Sequence, residues 1–475
     1  MKPPSLIALV GSLIILVTGC VVGPDYKRPA APIPTAWKEP HLNTNGFRLS
    51  PNWWGVFNDP ELDFLESEAV LANQDLKRAV ARVAEARALA RASAADWYPG
   101  LGAGAAFQGI RHSAGTDNVL PHLETSEYST SFDLSYEIDV WGRVRRTVEA
   151  VKADANAVST DLQVVLLTLT ADVARTYQLL RSLDNEKLVI QASIALRKDT
   201  VQLQQTRFQA GLINEVDVSR SKTELANVEA ELHAVNRQRA QTEHALAVLC
   251  GRPPANFSVS ARPASLRLPE IPPGLPAELL QRRPDVLEAE QRLEASNARI
   301  GVAKAAFFPR IKLTGSAGFA SADLGSLFDW PSRIAQFGPS LSVPIFQGGE
   351  NQANLRAAGA RYEQSLAAYR ETILRAFRDV EDSLSDLSAL AFQSEAVTRA
   401  LTSARDTATL ANERYQRGLS SYLEVVDAQR AALEAERQDT QLRGQRAVAT
   451  ILLVKALGGG WEPPAYAVNA RADSR

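Results

Sequence analysis

Residues 143–210 contain neither glycine nor proline, and residues 360–417 contain neither as well. Such a stretch has no ordinary place to turn. As one helix, at about 1.5 Å per residue, the first would run on the order of 100 Å, whereas an average globular helix has about 12 residues. Apolar residues recur at heptad-like intervals along both: Leu162, Leu166, Leu169, Val173, Tyr177 and Leu180 in the first, and Tyr369, Ile373, Phe377, Val380, Leu384 and Leu387 in the second. A seam so narrow predicts coiled-coil packing against a partner helix. The partners at hand are shorter helices predicted after Gly211 and Gly418, folding back as hairpins.

The two long runs belong to one duplication. RFQAGLINEVDVSRSKTELANVEAE from Arg207 reappears as RYQRGLSSYLEVVDAQRAALEAERQ from Arg414, 207 positions later. The same offset relates Gly142 to Gly349, Asp172-Val173 to Asp379-Val380, and Gly251 to Gly458. A slightly different offset relates Trp97-Tyr98-Pro99 to Phe307-Phe308-Pro309. Register held this far marks a repeat rather than a chance likeness of helices. The halves are residues 61–250 and 277–457, with a C-terminal tail at 458–475. Between the halves, residues 251–276 hold seven prolines, a composition that excludes helix and suits an extended crossover.

The N-terminus reads as an export signal. An apolar run from Leu6 to Val17 follows Lys2 and is too short to span a bilayer comfortably. It ends in Leu16-Val17-Thr18-Gly19-Cys20, which resembles a bacterial lipobox: residues 1–19 would be cleaved and Cys20 would carry a covalent lipid. Residues 20–60 are then a lipidated extended segment. Cys250, at the end of an apolar helical stretch, reads as a small buried hydrophobe. With Cys20 lipidated, no intrachain disulfide is possible. A mean hydropathy of −0.16 excludes a protein made of membrane helices.

A second periodicity lies between the helices. Phe132 to Val140 alternates apolar and polar residues, and so do Ile311, Leu313 and Phe319 against Lys312, Thr314 and Ser316. Leu341, Val343 and Ile345 alternate with Ser340 and Ser342 in the same way. Segments of about ten residues suit tilted transmembrane strands, one face to lipid and the other to water. Asp133, Glu137 and Asp139 would share the water face. Two strands per half make four per chain, too few to close around a hole, and open edges are not tolerated in lipid. Several copies must therefore build one barrel, and three would give twelve strands.

Five motifs in order carry a family resemblance: CVVGPDYKRP at Cys20, YEIDVWGR at Tyr136, GLPAELLQRRPDVLEAE at Gly274, AAFFPRI at Ala305 and SVPIFQGG at Ser342. The chain resembles the outer-membrane factor family, the TolC-like channels, in the lipoprotein branch of NodT type that serves resistance–nodulation–division pumps. The resemblance implies a mainly α protein with transmembrane β structure, in which a homotrimer forms a twelve-stranded β-barrel joined to a long periplasmic coiled-coil α-barrel. It implies an outer-membrane, lipid-anchored exit duct for drugs or other small molecules. A periplasmic adaptor and an inner-membrane pump would be its partners, and its only added group the lipid on Cys20.

The resemblance also implies a gate. An acidic ring narrows the pore near the periplasmic tip, and the matching residues are Glu424 and Asp427. Bonds between hairpins hold that end shut, and Asp217 and Tyr415 match two of the residues involved. A basic member of that network would fall on Ser420, which breaks the pattern. From the residues alone, Glu424 and Asp427 have helix capping as a rival role, and Tyr415 equally suits packing in a hairpin turn.

Nothing points to an enzyme or a nucleic-acid binder. The net charge is −2, and 22% of the residues are charged. His41, His112, His122, His233 and His244 form no close-spaced metal pair, and no Walker, HExxH or CxxC motif is present. Gly100-Leu101-Gly102-Ala103-Gly104 lies in a strand pattern with no helix after it, so small residues on a barrel strand account for it. Two rivals within envelope biology are a type I secretion duct and a coiled-coil lipoprotein that tethers envelope layers.

Overall fold

A computed structural model describes residues 21–31, 33–38, 50–113, 124–264, 269, 271–274 and 276–461. The signal segment, Cys20, His41, His122 and most of the C-terminal tail lie outside the described residues. The first half runs α1 (Pro60–Ala72), α2 (Gln74–Ala94), β1 (Gly100–Arg111), β2 (Glu124–Ile138), α3 (Arg143–Gln209) and α4 (Glu215–Leu249). The second repeats the order with α5 (Pro276–Arg282), α6 (Pro284–Ala305), β3 (Arg310–Ser321), β4 (Arg333–Ser342), α7 (Glu350–Gln416) and α8 (Tyr422–Ala456). Helices α3 and α7 have 67 residues each, and α4 and α8 have 35 each. Every bound of the second pair lies 207 positions after its counterpart. Helix α7 begins ten residues before the glycine-free run, so Gly359 sits inside it; helix propensity alone tolerates that at about 1 kcal/mol.

The helices end where the sequence says they must. At the tip of each hairpin the chain turns through a glycine in the left-handed region, Gly211 (φ 70°) and Gly418 (φ 75°). There the N–H groups of Gly211 and Leu212 donate to Phe208 O and Arg207 O, and those of Gly418 and Leu419 donate to Tyr415 O and Arg414 O. This paired bonding satisfies the last carbonyls of a helix. At the other end, Gly251 and Gly458 turn the same way but in a crowd. A Cβ on Gly251 would lie 2.5 Å from Ala72 O, and one on Gly458 would lie 2.2 Å from Arg282 O.

The chain divides into two compact units. One comprises residues 1–29, 82–159 and 288–370. It contains a four-stranded antiparallel sheet in the order β1-β2-β3-β4. Register assigns the faces, because residues directly opposite one another in a ladder share a face. Leu101, Ala103, Ala105 and Phe107 align with Leu134, Phe132, Thr130 and Tyr128. Leu313, Gly315 and Ala317 align with Tyr136, Leu134 and Phe132 on one side and with Pro339, Phe337 and Ala335 on the other. The opposite face carries Asp133, Ser135 and Glu137 beside Ser316, Thr314 and Lys312, then Gln336, Gly338 and Ser340.

Two strand expectations need correction. Strand β2 stops at Ile138, so Asp139 is not on the water face. Its carboxylate accepts from Val144 N (3.1 Å) and Arg145 N (2.8 Å), capping α3. Strand β4 stops at Ser342, leaving Val343 and Ile345 outside the ladder. Pro344 has no N–H to continue it.

The other unit comprises residues 30–81, 160–287 and 371–475. Its main cluster joins Trp53, Phe57, Leu62, Leu65 and Ala69 to Leu169, Val173, Tyr177 and Leu180 of α3, with Leu246, Cys250, Ile451 and Val454 from α4, α8 and the turn after α4. Helix α3 alone among the described helices is long and apolar enough to cross a membrane by composition. Its heptad residues from Leu169 to Leu180 instead fill this core. Burial pushes the Cys250 thiol up to about 12, as suits an inert packing residue. Asn73 links helix ends by donating to Leu249 O (2.9 Å) and accepting from Leu76 N (2.9 Å). In the second half Arg283 does the matching work, donating to Ala456 O (3.2 Å).

Candidate functional site

The hairpin tips bring two of the four gate candidates, Tyr415 and Asp217, around Tyr422. Tyr415, near the end of α7, donates its hydroxyl to Gln204 Oε1 on α3 (3.0 Å). The Arg207 guanidinium lies 5.1 Å from the Tyr415 ring centroid. Tyr422, at the start of α8, sits with its ring 5.6 Å away and is buried with Val425 and Val426. Burial, with smaller contributions from surrounding charges, pushes the Tyr422 phenol up to about 12. One of those charges is Asp217, so Asp217 acts on Tyr422, while the Tyr415 hydroxyl goes to Gln204. Asp217 also stands in the first turn of α4, its N–H accepted by Asn214 Oδ1 (3.2 Å). The Ser420 hydroxyl is buried with no hydrogen-bond partner among the described residues.

Glu424 and Asp427 are exposed on the first turns of α8. Ser421 precedes that helix without a side-chain capping bond. Three residues apart on a helix, the two carboxylates share one flank. Within the chain Asp427 acts on Arg430, so a ring of acids calls for further copies.

A set of ion pairs above the tip, built on the buried carboxylates of Glu224 and Glu186, was not legible in sequence. Glu224 on α4 accepts from Arg197 of α3 (3.0 Å) and from Arg430 of α8 (2.9 Å). Hydrogen bonding to Arg430 holds its carboxyl below the usual range, against the opposing effect of burial. Further along, Arg437 of α8 reaches Glu186 (2.8 Å) and Glu231 (3.2 Å). The bonds of Arg430 and Arg437 cross between the two hairpins, while Arg197–Glu224 lies within the first. Their partners stand as far as 206 and 251 positions apart, so no local spacing reveals them.

Cys20 lies outside the described residues, but the chain just after it is firmly seated. Val22 N donates to Trp141 O (3.1 Å), and Asn297 Nδ2 donates to Pro24 O (2.9 Å). Asp25 pairs with Arg146 (2.5 Å), and Arg28 with Glu290 (3.2 Å). Gly23 (φ 108°) lies so close to Gly301 that a Cβ there would be 2.5 Å from the Gly301 Cα. This seat adjoins the helix-bearing end of the sheet. In the YEIDVWGR motif, Glu137 binds Arg143 through two bonds (2.7 and 2.8 Å), and Trp141 donates to Pro309 O (2.9 Å).

A sheet apolar on one face, repeated long hairpins and a seated N-terminal segment have close counterparts. The model of the outer membrane efflux protein family matches residues 65–252 and 275–459. The chain belongs to that family. It is 34% identical over 465 residues to the cation efflux system protein CusC of Escherichia coli K12, covering 94% of this chain and 97% of CusC. It is 33% identical over 458 residues to the toluene efflux pump outer membrane protein TtgI of Pseudomonas putida, covering 94% and 97%. Among solved structures, the outer-membrane channel OprN superposes with a TM-score of 0.85 at 31% identity, covering 94% of this chain and all of that one. This efflux protein is therefore an outer-membrane channel. The glycine turns, heptads and strand alternation are the parts of it that the sequence displays.

Proposed function

We propose that the chain works as a homotrimer, its three sheets closing into a twelve-stranded barrel that serves as the passive exit duct of a tripartite efflux system. The observation that carries this is the sheet itself. Strands β1 and β4 are its two edges, and one face carries an apolar band that gives way to Arg111, Glu124 and Arg333 only at the rim far from the helices. Edges of that kind cannot stand open in lipid. Cys20 carries a lipid; the seating of residues 21–28, the next in the chain, supports an anchor near the foot of the barrel. A periplasmic adaptor and an inner-membrane resistance–nodulation–division pump meet the hairpin tips, where Leu212 and Leu419 are exposed. Glu424 and Asp427 form the constriction, while Tyr415 and Asp217 steady it. Relatives of nearly equal identity are named for cations and for toluene, which supports a duct whose cargo is chosen by the pump.

The test is a cysteine pair at Ala105 and Ala335, on the two edge strands, introduced with Cys250→Ser. Oxidation in membranes should produce covalent dimers and trimers. Crosslinking confined to single chains, with a monomeric mass in detergent, would refute the trimer. For the anchor, Cys20→Ser should abolish palmitate labelling.

A further inference from the structure

The end of the sheet far from the helices carries a feature that a channel wall does not require. Residues 322–332 join β3 to β4 through two short 3-10 turns, Leu324–Ser326 and Trp330–Ser332. The connection is braced from within: Ser321 and Ser326 share a hydrogen bond (2.8 Å), and Ser332 Oγ donates to Ser326 O (2.7 Å). Yet it exposes three large apolar side chains, Leu324 at 64%, Phe328 at 71% and Trp330 at 74%. An ordered loop that presents such a patch marks a surface made for contact.

Two contacts fix the side on which the patch lies. Phe328 meets Phe319 edge to face at 5.7 Å, and the Arg333 guanidinium lies 3.9 Å from the Trp330 ring centroid. Phe319 and Arg333 are directly opposite in the β3–β4 ladder. By alternation from Ala317 and Ala335 both belong to the apolar face. The loop thus extends the lipid-facing surface and does not turn into the water-lined side. Arg333 also donates to Trp330 O (3.3 Å) and makes no ion pair among the described residues. A cation without an acidic partner at the rim of an apolar band suits an anionic headgroup. Arg111 ends β1 with the same parity, paired with Glu124 at 3.4 Å.

We propose that residues 322–333 are a docking foot for a phosphorylated, multiply acylated glycolipid of the outer leaflet. Leu324, Phe328 and Trp330 lie among the acyl chains, and Arg333 binds a phosphate. This rests on the reading of the sheet as part of an outer-membrane barrel. Closure in a trimer brings the next copy's β1, with its terminal arginine, to the same rim. Asp323 and Asp329 in the loop oppose a bare anion, so inorganic phosphate alone is a poor ligand and acyl burial is required.

Native mass spectrometry of the delipidated full chain in detergent tests this, with bisphosphorylated hexa-acyl lipid A as the probe. Wild type should retain the lipid. Arg333→Gln should weaken retention about tenfold, the loss expected for one charge-assisted bond. Phe328→Ala/Trp330→Ala should weaken it as well, and Arg310→Gln at the other end of β3 should not. Dephosphorylated lipid A should bind wild type no better than lipid A binds Arg333→Gln. Equal retention by Arg333→Gln, equal binding of the dephosphorylated lipid, or displacement by millimolar inorganic phosphate would each overturn the proposal. Heat-modifiable gel migration and trimer mass separate the two levels. If both are intact and lipid selectivity is absent, the foot alone falls; if both are lost in wild type, the barrel reading falls with it.

Discussion

Asp217 and Arg220 begin one hairpin return, and Glu424 and Asp427 stand at the matching places in the other. At these two places the same helix therefore carries an acid and a base in the first repeat and two acids in the second. Phe208 likewise corresponds to Tyr415, and Ile213 to Ser420. Backbone geometry is held constant by helix lengths and turn glycines, while side-chain chemistry has been free to diverge. Duplication supplies the frame, and the difference between copies supplies the acids of the proposed gate.

The comparison breaks hardest at glycine. Gly251→Ala and Gly458→Ala each place a Cβ against backbone oxygen at positive φ. Left-handed strain of about 1–2 kcal/mol adds to overpacking of about 1–3 kcal/mol. Gly211→Ala and Gly418→Ala meet nothing within 4 Å, so only the strain remains, about 1–2 kcal/mol. Thermal unfolding in detergent should rank the four in two pairs, each pair equal across the repeats.

Arg181 separates the copies. Its side chain is 1% exposed, bonded to Asp184 (2.8 Å), Ser260 O (2.8 Å) and Glu61. Ser388 occupies the matching position in the second repeat. Arg181→Ala strands buried charge and should cost about 3 kcal/mol, while Ser388→Ala should cost less than about 0.5 kcal/mol. Equal losses would show that the charged network does not stabilise the first repeat.

Glu66 has no counterpart either, since Pro276 stands at the matching place. It is fully buried, and desolvation pushes its carboxyl up to about 9. Raised above its unfolded value near 4.3, the group binds more protons when folded. Its stabilising effect is present below the unfolded value and is lost as pH rises through about 9, with a slope of up to about 1.4 kcal/mol per pH unit. Glu66→Gln should flatten that slope and be the more stable protein at pH 8.

The smallest change in stability should accompany the clearest change in conduction. Tyr415→Phe removes one hydrogen bond, about 1 kcal/mol, and together with Asp217→Ala should raise single-channel conductance in planar bilayers. Glu424→Ala/Asp427→Ala should leave unfolding unchanged and abolish block by multivalent cations. A drop in melting temperature with block intact would instead make the two acids helix caps.

Much of this molecule is legible from one strand of letters. Missing glycines set the helix lengths, and period-two alternation found the sheet, because each reports a local requirement of the backbone. Pro344 could have ended β4, and the Asp139 cap lies within reach of any reading that looks for a helix start. Glu66 shares a stripe with Leu62, Leu65 and Ala69, so its burial was also visible. The Glu224–Arg430 pair was not, because coiled-coil surfaces are rich in both charges and only folding decides which pairs meet.

The seat of residues 21–28 draws on both repeats, with Trp141 and Arg146 from the first and Asn297 and Gly301 from the second. A polypeptide emerging N-terminus first cannot dock this segment until α6 has followed, well over two hundred residues later. Until then the leading end has no home on its own chain. Docking therefore requires α6, and a product broken before Gly301 never completes it. The leading segment is thus a clasp that closes only when both repeats are present.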